Sequence, residues 1–253
     1  MSETLFKFFS ELTGSETKVD FSNEEWLCDS FSHDFFQGEE PAYFDEEVAP
    51  EFLRGLLDPG QRYLDLGCGV FRLSQHLQDF EGFGLDLHHS SLLDPKIPSV
   101  VGNVHQLPFQ GKFDLILLGF GQICLMEKEQ LRKLLKRLKK LLNRSGKIYL
   151  DLPTIDYIQE YHDFNTWKME EDQLEICARE YDPEDSQFHQ KIKILDKQGQ
   201  QRNYEFSYQF YSLYELLEMF RDLRLQVVYG NEDFEEEPIK EGSEWMIFVL
   251  QKN

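Results

Sequence analysis

The chain has 253 residues, with 26 Lys plus Arg against 47 Asp plus Glu, and so a formal net charge of −21. That balance excludes a general attraction to a phosphate backbone, which needs clustered Lys and Arg. With 41% hydrophobic and 14% aromatic residues the chain can bury a substantial core, which excludes global disorder, and its length suits one large domain or a domain with an insertion.

Residues 1–45 are rich in Phe and acids and are read as an N-terminal helical cap. From residue 61 the chain alternates between apolar runs and helix-like segments: RYLDL, then glycines, FRLSQHLQ as a helix-like stretch, GFGLDL, PSVVGN and the nearly continuous KFDLILL. Runs of the last kind, buried on both faces, belong to parallel strands covered by helices. Leu131, Leu134, Leu135, Leu138, Leu141 and Leu142 then mark an amphipathic helix, with Gly146 as its expected terminator, and KIYLDLP reads as a fifth strand. Residues 154–170 look helical and aromatic. LEICAREY, FHQKIKIL and NYEFSYQFY follow, separated by turn signals at 182–186 and 196–199, and predict three antiparallel strands. A helix (YELLEMFRDL), the run LQVVYG, an acidic loop and a final strand EWMIFVLQ close the chain. The expected architecture is α/β: a doubly wound, mostly parallel seven-stranded sheet built from 46–153 and 212–253, with 154–211 inserted as a small antiparallel lid.

The longest charge-free apolar stretch, 115–126, spans about twelve residues against the ~20 of a membrane-spanning helix, and MSETLFKFFSEL lacks the apolar run of a signal peptide. Cys28, Cys68, Cys124 and Cys177 lie 40, 56 and 53 residues apart, unlike the close pairs of zinc or redox motifs. No membrane segment and no metal site are expected, and a reducing cytoplasm is the simplest home.

The strongest local feature is Asp65-Leu66-Gly67-Cys68-Gly69 at the end of the first strand, with Asp86 ending the second strand 21 residues after Asp65. Glycines there let the turn adopt φ > 0 and let a ligand touch the backbone, and an acid ending the second strand can accept both hydroxyls of a ribose. Arg72 stands where a dinucleotide fingerprint needs glycine, and no phosphate-loop pattern occurs, which disfavours an NAD-dependent oxidoreductase and an ATP cradle. An acid two residues before the first glycine suits a ligand that presents an ammonium group.

From about Arg62 to Lys252 the chain resembles the class I S-adenosylmethionine-dependent methyltransferases, in particular bacterial small-molecule members with a three-stranded lid. Asp65, Gly67, Cys68 and Gly69 match the family's first motif, Asp86 its ribose-binding acid, Gly102-Asn103-Val104 before Leu107-Pro108-Phe109 its adenine motif, and Phe113-Asp114 the start of its fourth strand. The resemblance implies S-adenosylmethionine as cofactor, held by Asp65, Gly67, Cys68, Gly69, Asp86, Leu87, Asn103, Val104 and Gly119. It implies in-line methyl transfer to a small acceptor bounded by Phe120, Gln122, Tyr161, His162 and Trp167. Alignment of the reactants supplies much of such a rate, so no dedicated catalytic residue is required, with His162 the one candidate base. Phe71 stands where the family has its third glycine, and a second reading therefore keeps the fold as a non-catalytic binding or regulatory protein. Asn103 replaces the usual acid but keeps an acceptor oxygen.

Other features have ordinary explanations. The helix at 127–144 holds eight of the positive charges and reads as a solvated basic face over packed leucines, His88 and His89 as surface residues, and 231–241 as a solvated acidic loop. The net charge of −21 favours a neutral or cationic acceptor over a phosphorylated one and argues against nucleic acid as a partner.

Overall fold

A computed structural model describes residues 48–69, 73–87, 97–161, 165–170 and 173–252. The expected cap at 1–45, the helix-like residues 70–72, including Phe71 and Arg72, and His88, His89 and His162 lie outside the described residues.

Seven strands form one sheet: β1 (Arg62–Leu66), β2 (Glu81–Asp86), β3 (Ser99–Val101), β4 (Phe113–Leu118), β5 (Leu142–Pro153), β10 (Leu225–Asn231) and β11 (Trp245–Lys252). Their order is β10-β11-β5-β4-β1-β2-β3. β1 through β5 run parallel, while β11 is antiparallel to both β5 and β10. The strand order reverses between β1 and β4, and the loops leaving the carboxyl ends of those two strands are where an open α/β sheet makes its crevice. β4 and β11 are buried over nearly their whole length, as their unbroken apolar runs require of strands covered on both faces.

The helix α2 (Lys128–Leu141) buries Leu131, Leu134, Leu135, Leu138 and Leu141, each contributing about 1.5–3 kcal/mol when fully removed from water. Glu127 and Gln130 close its first turn as a capping box. It ends at Leu141 because Leu142 turns to φ −76°, ψ 142° and joins β5, so Gly146 is not its terminator. Gly146 lies inside β5, where a Cβ would stand 2.8 Å from the Phe113 carbonyl oxygen. It answers a close approach of two strands. The basic face of α2 is also less solvated than its composition implies. Lys128 pairs with Glu215 at 3.0 Å and Arg132 with Asp222 at 3.3 Å, both on α4 (Leu213–Asp222), and Lys139 Nζ donates to the Leu223 and Arg224 carbonyls just past that helix. Among the described residues two short α-helices join these, α1 (Val48–Gly55) and α3 (Ile155–Tyr161). Of the helix-like stretch after the glycines, the described part is a single 3₁₀ turn, Ser74–Leu77.

Between β5 and α4 a second, antiparallel sheet has four strands, not three: β6 (Asn165–Glu170), β7 (Gln173–Asp182), β8 (Gln187–Asp196) and β9 (Gln201–Gln209), in that order. The additional strand lies in the stretch that reads as helical. It pairs with β7, with Thr166 opposite Cys177 and Trp167 opposite Ile176, and it leaves Trp167 and Met169 exposed. The turns match their sequence signals. Asp196 Oδ1 accepts from the Gln198 and Gln200 amides, and Gly199 takes φ +77°. The acidic loop folds on itself through Asp233 Oδ1, which accepts from the Glu235 and Glu237 amides.

Candidate functional site

Leaving β1, the chain turns sharply at Gly67 (φ +63°) and Gly69 (φ +47°), backbone angles that favour glycine. The Gly67 and Cys68 amides both donate to the Leu85 carbonyl on β2, at 2.7 and 3.2 Å. The Gly69 amide donates to Asp86 Oδ2 at 2.9 Å. The turn and the acid of β2 are thus one unit: the expected ribose acid is oriented by the expected glycine loop. Asp86 is 8% exposed, and Leu87 beyond it is 57% exposed, an apolar side chain open at the crevice. The Gly102 amide donates to the Asp86 carbonyl at 2.8 Å, which brings Asn103 and Val104 to the same end of the sheet. Asn103 Oδ1 accepts from the His105 amide at 2.8 Å and caps the short turn Val104–Gln106. Its oxygen has a second lone pair for a ligand.

Two of the expected residues are buried beneath the loop. Asp65 is 3% exposed, and burial pushes its carboxyl up to about 7, helped by nearby Asp86 and opposed by the Ser74 hydroxyl. The Cys68 side chain packs under the turn against Gly84, where burial raises its thiol; its part in the site is its backbone. Because folded Asp65 holds its proton up to about pH 7 while the unfolded side chain loses it near 3.8, the unfolded chain gains relative stability as pH rises between those values. Unfolding free energy is therefore expected to fall across pH 4–7, with a slope of up to about 1.4 kcal/mol per pH unit from one such group. Asp65→Asn should flatten this component, as measured by urea denaturation at a series of pH values.

The loop after β4 closes the other side. Gly119 is where Leu73 packs, a Cβ there meeting Leu73 Cδ1 at 2.2 Å. Phe120 and Gly121 are consecutively left-handed, at φ +56° and +65°. Gln122 then reaches across to the glycine turn, so that a Cβ on Gly67 would fall 1.6 Å from its Nε2. This places Gln122, expected beside the acceptor, directly against the glycine turn. Trp167 stands on the edge strand β6, 63% exposed. Tyr161 ends α3, and only its backbone is among the described features.

One buried carboxylate beside this loop escaped the sequence reading. Asp151 on β5 is fully buried, and it accepts from the Gly121 amide (3.0 Å, Oδ1) and the Tyr149 hydroxyl (2.6 Å, Oδ2). The available signal was an acid inside the apolar strand KIYLDLP, two residues from a tyrosine on the same face. Among the described residues no group of three or more His, Cys, Asp or Glu could hold a metal, and no helix is long and apolar enough to cross a membrane.

Residues 64–150, from within β1 to within β5, match the family model described as a methyltransferase domain. No curated protein matches the chain by sequence. Among solved structures, a S-adenosylmethionine-dependent methyltransferase from Clostridium acetobutylicum aligns with TM-score 0.74 at 16% identity, covering 89% of this chain and 98% of its own. The CcbJ methyltransferase from Streptomyces caelestis aligns with TM-score 0.71 at 19% identity, over 92% and 99%. A sugar N-methyltransferase from Streptoalloteichus aligns with TM-score 0.65 at 14% identity, over 95% and 98%. At such identities these structures speak for the fold. The family match lies on the strands and loops that build the Gly67–Asp86 unit, so this chain carries a methyltransferase domain on the fold of the S-adenosylmethionine-dependent methyltransferases.

Proposed function

We propose that this protein transfers the sulfonium methyl of S-adenosylmethionine to a small-molecule acceptor in the cytoplasm. The observation that carries the reading is the Gly69 amide bonded to Asp86 Oδ2, which sets a ribose-binding carboxylate beside a glycine turn open to a ligand. The residues fit the cofactor. Gly69 has open space where a Cβ would stand, Leu87 offers an exposed apolar face for a base, and Gln122 Oε1 is buried without a hydrogen-bond partner.

In this reading Asp86 holds the ribose hydroxyls, Leu87, Asn103 and Val104 receive the adenine, and Asp65, Gly67, Cys68, Gly69 and Gly119 shape the remainder of the cofactor site. When bound, S-adenosylmethionine supplies an electrophilic methyl on a sulfur that departs neutral. The chain's own work is alignment and exclusion of water, and orienting two reactants is worth about 7–11 kcal/mol at best. Residues 46–153 and 212–253 form the cofactor-binding core, and 154–211 the lid over the acceptor, with Phe120, Tyr161, His162 and Trp167 as acceptor contacts. His162 is the candidate to take up the proton that an amine or hydroxyl acceptor gives away. A net charge of −21 favours a neutral or cationic acceptor, and the sugar N-methyltransferase among the similar folds makes amino sugars the first class to try.

The test is calorimetric titration with S-adenosylmethionine and S-adenosylhomocysteine, followed by radiolabelled methyl transfer to a panel of amines, amino sugars, sugar phosphates and RNA. Micromolar cofactor binding with label on a neutral or cationic small molecule is the expected result. No binding at millimolar cofactor would sink the reading, and label on RNA would overturn the acceptor class.

A further inference from the structure

Asp151 and Gln122 connect two parts of the site that the proposed function treats separately. Asp151 is a carboxylate with no exposure, and donors converge on it from two segments: the amides of Phe120 and Gly121 from the loop after β4 and the Tyr149 hydroxyl from its own strand. The loop it grips is the one with two consecutive left-handed residues, the first of them a phenylalanine. A non-glycine residue in that region is strained and persists only where its surroundings over-determine it. A buried acceptor holding both amides is such a determinant. The next residue is Gln122, whose Nε2 end lies against Gly67 and whose Oε1 is buried without a partner. A buried acceptor left unpaired is costly, which makes it a natural place for a ligand donor.

We infer that Asp151 is a positioning residue of the cofactor site: by holding the Phe120 and Gly121 amides it sets the Gln122 carboxamide over Gly67, where Oε1 receives a donor from the bound cofactor. This rests on the glycine turn being the S-adenosylmethionine site. The donor of matching chemistry is the ammonium group at the cofactor's amino-acid end. Asp151 touches neither cofactor nor acceptor in this arrangement and acts through the loop.

The arrangement has a pH signature. Burial pushes the Asp151 carboxyl up to about 6, against the donors that hold it down. The titratable groups facing it are Tyr149 from β5 and Cys124 from the 3₁₀ turn Gln122–Leu125, whose thiol is itself pushed up by burial and by Asp151. An ionised Asp151 accepts from all its donors; once protonated it must turn a hydroxyl toward one of them, and the loop loosens as pH falls through about 6.

The experiment is calorimetric titration of the full chain with S-adenosylmethionine between pH 5 and pH 8, for the wild type, Asp151→Asn and Gln122→Ala, with thermal melts of each. In the wild type, affinity should fall about tenfold below a midpoint near 6, the loss expected for one hydrogen bond to a charged group. Asp151→Asn should bind about tenfold more weakly at pH 7.5 and lack the component near 6, while any component from Asp65 near 7 persists. Gln122→Ala should lose a similar factor with an unchanged melting temperature, and it decides the matter if Asp151→Asn fails to fold. Wild-type binding that is flat near pH 6, with Gln122→Ala at full affinity, overturns this inference and leaves the proposed function standing. No binding by the wild type overturns both.

Discussion

Gly67→Ala is expected to reduce S-adenosylmethionine affinity by about 100-fold, close to 3 kcal/mol, while lowering stability by only about 1–3 kcal/mol. Two effects combine in the affinity loss. Gly67 sits at φ +63°, where an L side chain is strained, so the turn that presents the Gly69 amide to Asp86 shifts. The new Cβ would also stand 1.6 Å from Gln122 Nε2, which expels the carboxamide from its place over the turn. The displaced atom is the far end of a flexible side chain, so the fold survives and the site does not. Gly60→Ala is the control. Gly60 is also left-handed, at φ +85°, but it lies before β1, at the opposite end of that strand, with nothing within 4 Å of an added Cβ. It should cost similar stability and leave cofactor affinity unchanged. If Gly60→Ala weakens binding as much as Gly67→Ala, the loss reflects general destabilisation and the turn is not the binding loop. Paired melts and calorimetry separate these outcomes.

Asp86→Ala is the second large effect, expected at about 1.5–3 kcal/mol in cofactor affinity, or roughly 10- to 150-fold. The substitution removes the ribose acceptor and leaves the Gly69 amide without Asp86 Oδ2. Asp86→Asn keeps one acceptor oxygen for that amide and loses the charge, so an intermediate affinity is expected. A ligand-side change tests the assignment more sharply. The 2′-deoxy form of S-adenosylhomocysteine should bind the wild type more weakly than its parent, whereas Asp86→Ala should hardly distinguish the two, because the group that reads the hydroxyl is gone. Equal discrimination by wild type and variant would move the ribose away from Asp86.

These two sites were legible before any coordinates because each is a local pattern. A glycine pair after RYLDL, and an acid ending the next apolar run, follow from what a tight strand-to-helix turn and a nucleoside ligand require of a few neighbouring residues. The leucine spacing of α2 and the turn at Asp196–Gly199 are legible for the same reason. Where the reading failed, a distant segment decided the outcome. Residues 165–170 pair with β7 as a strand and leave Trp167 and Met169 exposed. Gly146 reads as a helix terminator, and only the approach of the Phe113 carbonyl shows why it is glycine.

By itself, then, the sequence of this protein determined the order and type of nearly all the described sheet strands, and the glycine turn with its partner acid, since all of these rest on residues close together along the chain. Tertiary structure alone decided that the Cys68 side chain is buried under the loop, that Lys128 and Arg132 of α2 pair with Glu215 and Asp222 of α4, and that Asp151 grips the loop leading to Gln122. The physical reason is that a buried carboxylate is defined by its donors, and those of Asp151 come from β5 and from the loop after β4, with Gly121 thirty positions away along the chain.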